Sequence, residues 1–251
     1  MKTQVAGLKN VLTDQFSEPL NEATTARIDI HTDIGNLLID RLSGGEQVLV
    51  SGTLQLLESQ DPPARTLESS NGQATFTLIG GDSRRHWLRL PWNTCNGATE
   101  WQIYLNPTVS SDIAAHSGGG NVMLNLAGTT VTRVSADTGA GNVDVVLPDH
   151  AENLSVTANS GAGNVTVEIG SGITGSNIVN ASSGAGNVLV SLPSGLAARI
   201  YATTGLGKVI MDLPFSRTDT STYQSPGFES SANQVEITAT SGLGNVIVNT
   251  R

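Results

Sequence analysis

Hydrophobic residues in the C-terminal half alternate with polar ones at every second position, and the alternation breaks at one recurring glycine phrase. The phrase reads Ser117-Gly-Gly-Gly-Asn-Val122, Thr138-Gly-Ala-Gly-Asn-Val143, Ser160-Gly-Ala-Gly-Asn-Val165, Ser183-Gly-Ala-Gly-Asn-Val188, Thr204-Gly-Leu-Gly-Lys-Val209 and Ser241-Gly-Leu-Gly-Asn-Val246. A period of two is the signature of a strand with one buried face. After the phrase, Val143, Val145 and Leu147 share a face, as do Val165, Val167, Ile169 and Val188, Val190, Leu192. Before it, Val134 and Ala136 correspond to Val156 and Ala158, Val179 and Ala181, Ile200 and Ala202, Ile237 and Ala239. The position two before the Ser or Thr is alanine in every copy. Such a file predicts a narrow part of the cross-section, where a larger side chain would overpack.

The second glycines, Gly120, Gly141, Gly163, Gly186, Gly207 and Gly244, are separated first by 21, 22, 23 and 21 residues. Repeats of this length cannot bury an apolar face alone and stack as a solenoid. The fold predicted is all-β, a parallel β-solenoid (β-helix) of about eight coils, each roughly 21–23 residues, with two insertions. Each Gly-x-Gly is a corner between two strands. Asn121, Asn142, Asn164, Asn187 and Asn245 then form a ladder of stacked amides, which Lys208 interrupts between Asn187 and Asn245.

Two weaker copies lie upstream. Thr32-Asp-Ile-Gly-Asn-Leu37 keeps the frame, with Ile28 and Ile30 before it and Leu37 and Ile39 after; Ser69-Ser-Asn-Gly-Gln-Ala74 keeps Gly72, followed by Phe76 and Leu78. Residues 1–251 thus read as a single elongated domain. It divides into degenerate coils (1–80), a Trp-rich insertion (81–112), regular coils (113–214), a loop insertion (215–234) and a terminal coil (235–251). In the first insertion, His86–Trp92 and Trp101–Pro107 alternate around Asn96-Gly97, a hairpin signal. Its Trp87, Trp92 and Trp101 either cover the wider end of the solenoid or offer an aromatic platform to a sugar or partner. The second insertion is expected to cover an outward apolar stripe at Leu189, Ile210 and Ile247; left uncovered, the stripe is a contact surface. The last strand has no cap after it, which predicts an open edge for end-to-end assembly or a boundary within a longer chain.

Charge and composition narrow the partners. The net charge is −9 and lysine occurs only at Lys2, Lys9 and Lys208, so nucleic acid is excluded; Arg84, Arg85, His86 and Arg89 are too few to reverse this. No apolar run of about 18 residues exists, so this segment does not insert into a membrane. Cys95 is single and precludes an internal disulfide. Residues 1–8 lack the apolar run of a signal peptide. Location is therefore the cell envelope or exterior if a leader has been removed, and the cytoplasm otherwise.

Chemistry is sparse. A dinucleotide fingerprint needs a helix after the glycines, whereas strands follow them here. Calcium nonapeptides need an aspartate that the phrase lacks. His31, His86, His116 and His150 are scattered along the chain, so no metal site and no cofactor is expected. The repeat frame does place His116 and Asp137 in one outer file on neighbouring coils. That pair is the best catalytic candidate, equally explained as a solvated ion pair, and no catalytic residue is assigned.

Several runs resemble the bacterial toast-rack and LiaF-like C-terminal domains, grouped with cell-wall-active antibiotic response proteins and putative-adhesin repeats. They are Trp101-Gln-Ile-Tyr-Leu-Asn-Pro-Thr-Val109, the Gly-Ala-Gly-Asn-Val repeats ending Leu-Pro at 147–148 and 192–193, Ala198-Arg-Ile-Tyr, and Tyr223-Gln-Ser-Pro-Gly-Phe228 before the closing Gly-Leu-Gly. The resemblance spans about residues 20–251. It implies a right-handed parallel β-solenoid with no catalytic residues, often beside membrane segments at the envelope. The expectation is a non-enzymatic, adhesin-like structural or binding module whose partner is a protein, a cell-wall glycan or itself. The alternatives are a filament subunit stacking through uncapped coils and, more weakly, a polysaccharide-active enzyme.

Overall fold

Each glycine phrase carries the chain from a strand of one sheet round a corner into a strand of another, and the inward faces of the two sheets share one apolar core. The computed structural model of the chain describes residues 11–43, 47–57, 62–80, 99–212 and 214–251. The post-corner sheet runs, neighbour to neighbour, β1 (Val11–Pro19), β4 (Val48–Leu57), β7 (Glu100–Leu105), β3 (Asn36–Arg41), β9 (Val122–Asn125), β11 (Val143–Val146), β14 (Val165–Glu168), β17 (Val188–Leu192), β23 (Val246–Thr250) and β19 (Val209–Met211). The pre-corner sheet runs β20 (Ser216–Arg217), β21 (Thr222–Gln224), β18 (Ala197–Leu206), β22 (Gln234–Leu243), β16 (Ser176–Ala185), β13 (Ser155–Ala162), β10 (Val131–Ala140), β8 (Ser110–Ser117), β2 (Thr25–Thr32), β6 (Gln73–Ile79) and β5 (Ala64–Ser70). A short third face pairs β12 (His150–Glu152) with β15 (Gly172–Thr174).

The middle of the molecule stacks in chain order and in register. Val143 lies beside Val122 and Val165, and Val165 beside Val188. Ala136 lies between Ala115 and Ala158, and Ala158 beside Ala181. All of these side chains are buried, as the alternation requires. The parallel β-solenoid read from the repeat is the fold.

Chain order fails at both ends. The coil of residues 234–250 is slotted between those of 176–192 and 197–211, because β22 pairs with both β16 and β18, and β23 with both β17 and β19. The coil expected to be terminal is therefore interior. Stacking through a bare coil at 235–251 has no such surface to act through. Likewise the coil of 25–41 sits between β6–β7 on one side and β8–β9 on the other.

Antiparallel strands finish the ends and account for several departures from expectation. Ser69–Ala74 is not a coil corner. β5 and β6 pair antiparallel with Ser70 opposite Gln73, and Asn71 and Gly72 have φ of 53° and 76°. A two-residue Asn-Gly loop with both φ positive makes a hairpin turn. The two edges of β7 are taken by β3 and β4, and the expected partner strand at 86–92 lies outside the described residues. Residues 100–105 and 110–112 belong to β7 and β8 of the ladders, so the expected insertion of 81–112 reaches too far; its residues 81–98 lie outside the described ones. At the other end, β21 pairs antiparallel with β18 and β20 with β21. Phe215 joins the core, and Phe228 is buried with the Arg199 guanidinium 4.3 Å from its ring centroid. Residues 216–224 thus finish the edge of the pre-corner sheet, and Ile210 of the expected stripe remains 45% exposed.

The buried side chains become larger toward the N-terminal coils. The alanine file continues Ala115, Ile30, Leu78, and its neighbour continues Ile113, Ile28, Phe76. The valine file continues Val122, Leu37, Trp101, Leu54. These larger side chains fill this end of the core, and β1 closes it with Phe16 stacked 5.7 Å from Phe76.

Candidate binding surface

The corner is built from four residues, each with a distinct task. The Ser or Thr hydroxyl is turned inward and donates to a glycine carbonyl of the neighbouring coil: Ser117 to Gly35 at 2.9 Å, Thr138 to Gly120 at 2.8 Å, Ser160 to Gly141 and Ser183 to Gly163 at 2.7 Å. Ser241 donates to Gly186 at 2.8 Å and Thr204 to Gly244 at 2.7 Å. This hydroxyl ladder was not anticipated, although a Ser or Thr stands in all six copies. Gly141 has φ of 142°, and a Cβ there would overlap the Gly120 carbonyl, so stacking and conformation both demand glycine.

The asparagines do form a ladder, but mainly to backbone. Asn36 Oδ1 accepts from the N–H of Asn121, Asn121 from Asn142, Asn142 from Asn164, Asn164 from Asn187, and Asn187 from Asn245, all at 2.9–3.0 Å. One amide–amide bond, Asn187 Nδ2 to Asn164 Oδ1 at 3.4 Å, accompanies them. Lys208 does not interrupt the ladder. Its N–H donates to Asn245 Oδ1 at 3.0 Å, and it occupies the last rung, beyond which no further coil stands among the described residues.

The x residue of Gly-x-Gly projects from the corner, so these residues form an outer file: Ile34, Gly119, Ala140, Ala162, Ala185, Leu243, Leu206. The file is small in the middle and large at the end. Leu206 is 71% exposed and Leu243 54%. Ile210 lies beside Ile247, and Ile247 beside Leu189, on the adjoining outer face. Both groups of apolar residues stand at the end of the stack formed by the coil of 197–211, on either side of the Lys208–Asn245 rung. At this end β19 is the last strand of its sheet among the described residues, with no strand partner on its outer edge there.

The aromatic candidates fare differently. Trp101 is only 3% exposed and points into the core with Ile103 and Leu105, so it is no platform residue. Trp87 and Trp92 lie outside the described residues.

His116 and Asp137 are register neighbours on the outer face, as expected. The Asp137 carboxylate, however, accepts from Ser135 Oγ at 2.9 Å and Asn159 Nδ2 at 2.8 Å. The His116 ring meets His31, with centroids 5.1 Å apart. The histidines are therefore not all scattered: insertion of the coil of 25–41 beside β8 brings two of them together, and the shared position just before Thr32 and Ser117 was the signal for it. Among the described residues, no group of three or more His, Cys, Asp or Glu fits a metal ion, and no helix is long and apolar enough to cross a membrane.

A two-sheet parallel β-solenoid with glycine corners, hydroxyl and asparagine ladders and an apolar outer end is a stacking scaffold. Residues 7–168 match the N-terminal domain of toast_rack, DUF2154, and the chain belongs to that family. No curated protein sequence is significantly similar. The crystal structure of a putative cell adhesion protein from Clostridium sporogenes has TM-score 0.68 at 18% identity, covering 96% of this chain and 100% of that one. A putative adhesin from Bacteroides fragilis gives TM-score 0.35 at 12% identity, over 96% of this chain and 98% of the other. The fold likeness rests on the first.

Proposed function

We propose that this chain is a non-enzymatic, adhesin-like binding module of the bacterial cell envelope that grips a protein partner at the end of the stack formed by the coil of 197–211. The observation that carries the reading is the exposure of Leu206, Leu243 and Ile210 beside the edge of β19 that has no strand partner among the described residues. Exposed apolar side chains next to such an edge suit an extended apolar segment that adds to the sheet as another strand. Lys208 and Asp212 flank Ile210 on the exposed face, which favours a segment with one charge of each sign. The naming of the Clostridium sporogenes protein as a cell adhesion protein supports a surface role. The acidic chain, −9 overall, fits neither nucleic acid nor a polybasic membrane contact.

The test compares immobilised wild-type chain with L206D/L243D/I210D for retention of bacterial envelope fractions, before and after protease treatment of the fraction. Retention that is lost on protease treatment and in the variant supports the proposal. Protease-resistant retention would assign the surface to a glycan and overturn it. Concentration-dependent dimers of the wild type alone, seen by light scattering, would also overturn it, assigning the patch to a second copy.

A further inference from the structure

The exposed face of the pre-corner sheet carries two imidazoles that the mechanics of the corner do not use. His31 on β2 and His116 on β8 are register partners in adjacent parallel strands. They alternate with the buried Ile30 and Ala115, so both rings stand on the outside. The ring centroids are 5.1 Å apart with planes inclined by 37°. Their flanks in the same file are Ile79 on one side and Asp137 on the other. Asp29 lies two residues before His31 on the same face and is held by Arg27 at 2.9 Å.

We infer that His31 and His116 form a two-imidazole chelate for a first-row divalent cation of the Ni(II), Cu(II) or Zn(II) type. Neutral imidazole nitrogens are the preferred ligands of these metals, at about 2.0–2.1 Å each. Adjacent strands hold the two side chains roughly 4.8 Å apart at their origin, so small χ rotations bring one nitrogen of each ring to a shared ion. The remaining coordination positions belong to water, which accords with the lack of a third close ligand among the described residues. The neighbouring Asp137 and the acidic chain as a whole favour a cation there. The consequence is mechanical. The two ligands are 85 residues apart in sequence, and the ion would staple the inserted N-terminal coil to the first regular coil, stabilising the folded chain by mass action.

The test is calorimetric titration of the tag-free full chain with Ni(II) and with Zn(II), alongside melting with and without metal. One saturable site and a metal-dependent rise in Tm are expected. H31A and H116A should each lower the affinity by at least about tenfold and abolish the Tm rise. Both substitutions lie on the outer face, and circular dichroism of the metal-free variants confirms that they fold. H31Q, which keeps a polar side chain of similar reach, should behave like H31A. H150A and the double variant H86A/C95A should bind as the wild type does. The inference is overturned if no saturable binding is seen, if H31A and H116A bind unchanged, or if H86A/C95A is the variant that loses the metal.

Discussion

The backbone N–H of Asn245 lies 2.9 Å from Oδ1 of Asn187, although 58 residues separate them. Read in chain order, the neighbour of Asn187 would be Lys208, and the ladder would be broken. The bond instead records that the last coil in sequence is slid between the two before it. The single lysine among the corner asparagines then has a reason. It stands at the ladder's end, where an acceptor side chain would have no N–H to serve among the described residues.

That reading makes a sharp distinction between two corner residues. Asn187→Ala removes the acceptor for Asn245 N–H and should cost about 1 kcal/mol. Lys208→Asn should leave stability within about 0.5 kcal/mol. Chemical denaturation measures both, and clear stabilisation by Lys208→Asn would mean that residue 208 stands inside the ladder.

The coil order can also be trapped covalently. Leu206 and Leu243 are register partners on the exposed corner, one strand spacing apart, about 4.8 Å, which lies within disulfide reach. In a Cys95→Ala background, Leu206→Cys/Leu243→Cys should oxidise within one chain. Ala185→Cys/Leu206→Cys should not, since Leu243 lies between those positions. Mobility on non-reducing gels reads the outcome.

Glycine at the corner is required by contact as well as by conformation. Gly141→Ala places a methyl group against the Gly120 carbonyl at φ 142°, and should destabilise by roughly 3 kcal/mol or more. Gly119→Ala meets nothing within 4 Å and occupies the x position that Ala140 and Ala162 fill elsewhere. Its expected change is within about 0.5 kcal/mol. Equal shifts in Tm for the two variants would contradict the stacked corner.

The alanine file sets the width of the core. Ala158 is fully buried between Ala136 and Ala181, so Ala158→Leu should cost roughly 1–3 kcal/mol by overpacking. Thr166→Leu, on the outer face beside Asp144 and Leu189, should not. Thermal melts of the pair check which face is which.

The inside and outside of the repeat strands were legible along the chain, because side-chain alternation is a local property and burial follows it there. Val143, Val165 and Val188 are buried for that reason, and the glycine, serine and asparagine of each corner are fixed by contacts that recur with the period. Which coil touches which was not legible. Every corner offers nearly the same hydroxyl, carbonyl and amide to either neighbour, so the repeat stabilises many orders about equally. The choice falls to features outside the repeat: the Asn71-Gly72 hairpin and β4 at one end, the β20–β21 hairpin with Phe215 and Phe228 at the other. With these at the two ends, the coils of 25–41 and 234–250 each lie between two others. The meeting of His31 with His116 and the pairing of Leu206 with Leu243 are consequences of that insertion, and hydrogen bonds between residues so distant in sequence become predictable only once the stack is assembled.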